Sequence, residues 1–99
     1  IWIVKIAIFG LGVVGSHVVK LLEKNSYVFD NTKFKIVSIS AKNKNKKRNF
    51  NVKKYHWFKN FSDLLKNDKP DLIVETIGGT GKNINDLYNF CLKNNVCHY

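Results

Sequence analysis

The sequence predicts an α/β fold with a doubly wound parallel sheet. Three observations predict it. Two runs of strand length, residues 3–9 (IVKIAIF), broken only by Lys5, and 71–77 (DLIVETI), with Leu72, Ile73 and Val74 consecutive, are mainly apolar, as strands buried on both faces are. Each is followed by glycines and then by a segment whose apolar residues recur at helical spacing, so strand, glycine turn and helix repeat in that order. A length of 99 residues, with 44 % hydrophobic, 13 % aromatic and 24 % charged residues, suits one small globular domain.

The first strand ends at Gly10. From there Val13, Val14, Val18, Leu21 and Leu22 recur at three- and four-residue steps, which predicts one apolar stripe on a helix running to about Lys24. Residues 25–33 read as a polar connection, and residues 34–40 (FKIVSIS) as the second strand, with Phe34, Ile36, Val37 and Ile39 as its apolar positions. Residues 41–54 are dominated by Lys and Asn, with only Phe50 and Val52 large and apolar, and read as a solvated loop. A short aromatic strand at 55–58 follows. Ser62 is the expected N-cap of a brief helix through Leu64 and Leu65, with Asp63 in its first turn and Pro70 closing the region. After the strand at 71–77, a helix at about 84–93 sets Ile84, Leu87, Tyr88 and Cys91 on one side, and residues 96–99 begin a further strand. Right-handed connections give the sheet order 3-2-1-4, truncated at the fifth strand.

The formal charge of +10 invites a nucleic-acid reading, which the composition weakens. Sixteen of the seventeen basic residues are Lys, only Arg48 is Arg, and Asn occurs thirteen times, a pattern that A/T-rich codons explain. Nucleic-acid sites lean on Arg and on stacking aromatics, so no nucleic-acid partner is expected. Cys91 and Cys97 make neither a disulfide scaffold nor a zinc site, and nothing resembles a signal peptide, so a cytoplasmic location is expected. No apolar run approaches the ~20 residues that span a bilayer. The sequence lacks Met and opens inside an apparent strand, so a fragment of a longer protein is expected. A chain this short buries only a little over ~60 % of its unfolded surface, which also favours a covering domain or subunit.

Gly10-Leu11-Gly12-Val13-Val14-Gly15 is G-x-G-x-x-G, placed directly between a buried strand and an amphipathic helix. In that setting the first glycine makes the tight turn, the second lets the backbone approach a pyrophosphate, and the third lets helix and strand pack closely. The helix N-terminus adds free N–H groups and a partial positive charge. A Rossmann-type dinucleotide site is the expectation. NAD-specific members of this fold place Asp or Glu at the end of the second strand. Here that end reads Ser40-Ala41-Lys42, and Lys42, Lys44, Lys46, Lys47 and Arg48 crowd the next loop, which suits a 2′-phosphate: NADP is favoured, with NAD left open. Ile77, Gly78 and Gly79, at the carboxyl end of the fourth strand, fall at the switch point where ligands bind. Glu75, a carboxylate in an apolar strand, must be hydrogen-bonded or open onto the crevice. His17 reads as a packed or phosphate-flanking side chain, His56 and His98 have no carboxylate at useful spacing, Cys91 reads as core and Cys97 as strand, and Trp2 and Trp57 as covers for sheet edges.

Residues 4–15 (VKIAIFGLGVVG) with 18–22 (VVKLL), then 38–44 (SISAKNK), then 71–79 (DLIVETIGG), resemble the amino-terminal cofactor domain of homoserine dehydrogenase. The last block, ending Val-Glu-x-Ile-Gly-Gly, is the most specific. The resemblance implies NAD(P)-dependent interconversion of L-homoserine and aspartate 4-semialdehyde, on the route to threonine, methionine and isoleucine. It gives the glycine turn and Lys42 cofactor roles. Where the family continues into a Thr-Ala-Asn-Lys stretch, this sequence has Asn94-Asn95-Val96-Cys97-His98-Tyr99. Residues 1–99 are then one dinucleotide-binding domain, without the substrate domain and its catalytic Lys and acidic residues, so no catalytic residue is assigned. A small-molecule substrate and a homo-oligomer formed through the missing domain are expected of the complete protein. A non-catalytic dinucleotide-sensing module, or a related NADP-dependent reductase, are the alternatives.

Overall fold

In the computed structural model, which describes residues 2–24, 28–77 and 82–99, the first apolar run forms β1 (Trp2–Phe9), the central strand of the sheet. Its side chains alternate between two cores. Ile6 and Ile8 pack on one face with Val19 of α1 (Val13–Lys24), while Ala7 and Phe9 pack on the other. The helix meets the sheet along Gly15 and Val19, its buried residues, with Val18 and Leu22 beside them. The predicted stripe is therefore rotated: Val13, Val14 and Leu21 are exposed. At 3.6 residues per turn, Val13 stands about 160° and Leu21 about 120° round the axis from Gly15, and the close approach at Gly15 decides which side faces the sheet.

The predicted polar connection contains a hairpin. β2 (Val28–Phe29) pairs antiparallel with the start of β3 (Thr32–Ser40). The two-residue turn between them holds Asp30 and Asn31 at φ 51° and 60°, a conformation that Asp and Asn tolerate and that matches the twist of the strands. β3 runs parallel to β1 with one irregularity: Ile6 pairs with Ile36 but Ala7 pairs with Ser38, so Val37 is an extra residue. Ile36 and Ile39, an odd number of residues apart, consequently reach the same core on the α1 side.

Residues 41–54 are only partly a solvated loop. Phe50 and Val52 pack against the α1-side core, and Asn51 caps a 3-10 turn at Val52–Lys54. β4 (His56–Trp57) pairs with β3, and the Ser38 hydroxyl lies 3.1 Å from His56 Nδ1. The expected N-cap at Ser62 moves to Asn60: its side chain accepts from the Asp63 N–H, and the Asp63 carboxylate accepts from the N–H of Asn60 and of Lys59, ahead of a 3-10 helix at Phe61–Leu65. Asn at the cap and Asp three residues on make a reciprocal pair that Ser62 cannot form.

β5 (Leu72–Glu75) pairs with the other side of β1, α2 (Lys82–Asn94) crosses behind the sheet, and β6 (Cys97–His98) pairs with β5. The parallel order is β4-β3-β1-β5-β6, or 3-2-1-4-5 once the hairpin strand is left out, as expected for a doubly wound sheet. On the face opposite α1, Phe58, Leu64, Ile73, Leu87, Cys91 and Val96 are buried together. Tyr88, expected on that buried side, is instead exposed, its ring centroid 4.7 Å from that of His98. Among the described residues no helix is long and apolar enough to cross a membrane.

Candidate functional site

The carboxyl ends of β1, β3, β4 and β5 all open on one side of the sheet, around a crevice of about 1260 Å³. The glycine turn forms its floor and is held from both sides. Gly10 N–H donates to the Ser40 carbonyl at 2.8 Å, and on the other flank Thr76 N–H donates to the Phe9 carbonyl at 3.0 Å and its hydroxyl to the Gly10 carbonyl at 2.9 Å. Gly10 has φ 112°, and a Cβ there would lie 2.6 Å from Thr76 Oγ1, so only glycine fits. A Cβ on Gly15 would stand 1.9 Å from the Gly10 carbonyl oxygen; α1 rests directly on the turn. Gly12 differs, since a Cβ there meets nothing within 4 Å, and its bare backbone faces the crevice. The turn is thus a cradle that side chains would fill, beside a helix N-terminus whose first turn carries no acidic residue.

The rim is cationic. Among the described residues Lys42, Lys46, Arg48 and Lys59 line the crevice, against one carboxylate, Asp86 of α2. β3 ends at Ser40 and is followed by Ala41, with no acidic side chain at either position. Aromatic rings back the crevice: Phe9 lies 5.1 Å from Phe61 and 6.1 Å from Phe58, centroid to centroid.

Of the predicted site residues, Gly10, Leu11, Gly12, Ser40, Ala41, Lys42 and Ile77 come together around this crevice. Val13, Val14 and Gly15 do not. Gly15 is buried under the turn, and Val13 and Val14 line a second, shallower cavity of about 790 Å³ between α1 and residues 46–49, together with His17. The rotation of α1 that buries Gly15 turns the two valines away. Gly78 and Gly79 lie outside the described residues. Glu75 is half-buried, its backbone N–H donating to the Tyr99 carbonyl, and it is not among the residues that line the crevice.

A family profile described as "Homoserine dehydrogenase, NAD binding domain" matches residues 10–97. The chain belongs to this family. Two crystal structures of S. aureus homoserine dehydrogenase, at pH 8.5 and pH 6.5, are each 35 % identical to this homoserine dehydrogenase domain and cover 99 % and 98 % of it, with TM-scores of 0.80 and 0.78. The chain spans 25 % of the length of each of those structures. A hyperthermophilic archaeal homoserine dehydrogenase mutant in complex with NADPH is 16 % identical over 97 % of the chain and 34 % of its own, with a TM-score of 0.65, and shares the fold. No match was found among curated proteins.

Phe9, Lys59, Asn60, Phe61, Thr76 and Asp86 also line the crevice and were not predicted there. A signal existed for Lys59 and Asn60: they directly follow the short aromatic strand, and ligands in open α/β sheets lie beyond the carboxyl ends of strands. Thr76, a hydroxyl closing an apolar strand, carried a similar one.

Proposed function

We propose that this domain is the cofactor-binding part of an NAD(P)-dependent homoserine dehydrogenase and that it prefers NADP. The interconversion of L-homoserine and aspartate 4-semialdehyde belongs to the complete protein, whose small-molecule substrate, catalytic residues and oligomeric contacts are supplied outside these residues. The observation that carries the cofactor preference is the rim: Lys42, Lys46, Arg48 and Lys59 around the crevice, and Ser40-Ala41 where a ribose-binding carboxylate would otherwise stand.

Each part of the site has one task. The Gly12 backbone and the N–H groups at the start of α1 accommodate the pyrophosphate; the cations beyond Ser40 hold the 2′-phosphate; the wall from Thr76 and Ile77 supports the far half of the cofactor. When bound, the cofactor's nicotinamide supplies the hydride chemistry. Titrating NADPH and NADH against the full-length protein and its Lys42→Ala variant tests the proposal. NADPH binding should weaken by ~1.5–3 kcal/mol, the range for a hydrogen bond to a charged group, with NADH nearly unchanged. Equal losses for both, or none, would refute the NADP preference. Tight cofactor binding by a complete protein that leaves aspartate 4-semialdehyde unreduced would instead favour a dinucleotide-sensing module.

A further inference from the structure

Arg48, the one arginine among seventeen basic residues, is directed into its own loop. Its Nη1 donates to the carbonyls of Lys44 at 3.3 Å and Lys46 at 3.0 Å, and its Nη2 to that of Asn43 at 2.6 Å. Its Cζ lies 5.9 Å from the centroid of the Trp57 ring, which also carries Lys44 Nζ at 5.8 Å. Trp57 belongs to β4 and packs against the α1-side core, so the loop is fastened to the sheet through that ring. Between Ala41 and Phe50 the sequence is Lys, Asn and Arg only, with no apolar side chain to anchor it. Two further hydrogen bonds within the loop are short-range, from Asn45 N–H to the Asn43 side chain at 3.0 Å and from Lys46 N–H to the Asn43 carbonyl at 3.5 Å. The guanidinium spreads its donors over two terminal nitrogens, so it reaches carbonyls on separate sides with its charge over the indole ring; an ammonium offers its donors from a single atom.

We propose that Arg48 is the positioning residue of the cationic rim: it closes residues 43–48 into a loop seated on Trp57, holds Lys42 and Lys46 at the crevice, and thereby sets selectivity for a 2′-phosphorylated cofactor. The selectivity rests on the NADP reading above, whereas the loop closure stands without it.

Two measurements on the full-length protein separate these. The first is limited digestion by a lysine-specific protease, counting only cuts after residues 42–47, in wild type, Arg48→Ala and Arg48→Lys. Both variants should be cut in the loop about tenfold faster than wild type while the rest of the domain stays protected, because local opening controls cleavage. The second is the affinity for 2′,5′-ADP and for 5′-ADP. Arg48→Ala should weaken 2′,5′-ADP about tenfold and 5′-ADP less than about twofold, and adding Lys42→Ala should cost less than the two single losses combined, as for residues acting through one another. Unchanged digestion overturns the loop closure. Where wild type prefers 2′,5′-ADP, full affinity in Arg48→Lys overturns the positioning role, since Arg48 would then act as a point charge. If wild type binds the two nucleotides equally while the Arg48 variants are still cut faster, the NADP reading and the selectivity fall together and the loop closure is upheld.

Discussion

Alanine at Gly12 and at Gly15 should separate what the glycine turn does for binding from what it does for folding. At Gly15 a Cβ would stand 1.9 Å from the Gly10 carbonyl oxygen and 2.8 Å from both the Gly10 carbonyl carbon and Thr76 Oγ1; reaching even 3.0 Å from the oxygen requires about 1.1 Å of movement. The obstructing atoms are backbone held by the sheet, so α1 must lift. Overpacking costs ~1–3 kcal/mol, and a rigid backbone obstruction belongs at the upper end; against ~1 kcal/mol gained in helix propensity, a net loss of about 2 kcal/mol is expected. For a domain of this size each kcal/mol lowers the thermal midpoint by ~4–8 °C. At Gly12 a Cβ meets nothing within 4 Å, so Gly12→Ala should leave the stability within about 0.5 kcal/mol of wild type. Its methyl group nevertheless projects where the pyrophosphate needs bare backbone, and NADPH affinity should fall at least about tenfold. Thermal melts of the domain, paired with NADPH titration of the full-length protein, read both effects. A Gly15→Ala variant as stable as wild type would refute the packing argument, and a Gly12→Ala variant that binds NADPH normally would refute the placement of the cofactor.

Phe58, 1 % exposed between Phe9 and Phe61, should cost ~3–5 kcal/mol on truncation to alanine, measured by urea unfolding; a loss below about 1.5 kcal/mol would mean that this core is not tightly packed. Asn60→Ala removes the cap of the Phe61–Leu65 turn and should cost ~1 kcal/mol in the same assay. The Lys59 N–H first, then the Asn60 N–H, hold the Asp63 carboxyl below its ordinary value of 3.8, so the ionised form is favoured by folding. That stability is present above the unfolded-state value and lost as pH falls through the lowered one. Asp63→Asn should therefore be less stable than wild type at neutral pH, with the gap closing below pH 3.8; a gap that does not vary with pH would contradict the assignment.

The parts of this domain that could be read from sequence are those governed by local periodicity and by glycine. The runs at 3–9 and 71–77 locate β1, which begins one residue earlier, and β5, because a strand covered on both faces has to be mainly apolar. The glycine turn was legible because Gly10 and Gly15 answer contacts that no other residue survives. What escaped depends on groups distant in sequence. The rotation of α1 follows from its approach to the turn, which its own row of valines does not encode. The hairpin at Asp30-Asn31 escaped because its strand β2 is only two residues long. The aromatic and Lys59-Asn60 side of the crevice required knowing that β4, two residues long, pairs beyond β3 and brings its carboxyl end to the site.

The extra residue at Val37 governs the height at which the cationic loop leaves the sheet. With it, Ser40 stands level with Phe9; an unbroken ladder would set Ile39 there and raise Ser40 to the level of Gly10. One strand residue is about 3.3 Å, comparable to a single hydrogen bond, so the irregularity draws the start of the loop down by about that distance relative to the glycine turn. The same insertion keeps Ile39 on the α1 side. Straightening β3 here with every residue kept would thus do two things together, turning the end of β3 inside out and lifting Lys42 away from the turn, whereas deleting Val37 itself would leave Ser38, Ile39 and Ser40 on their present partners.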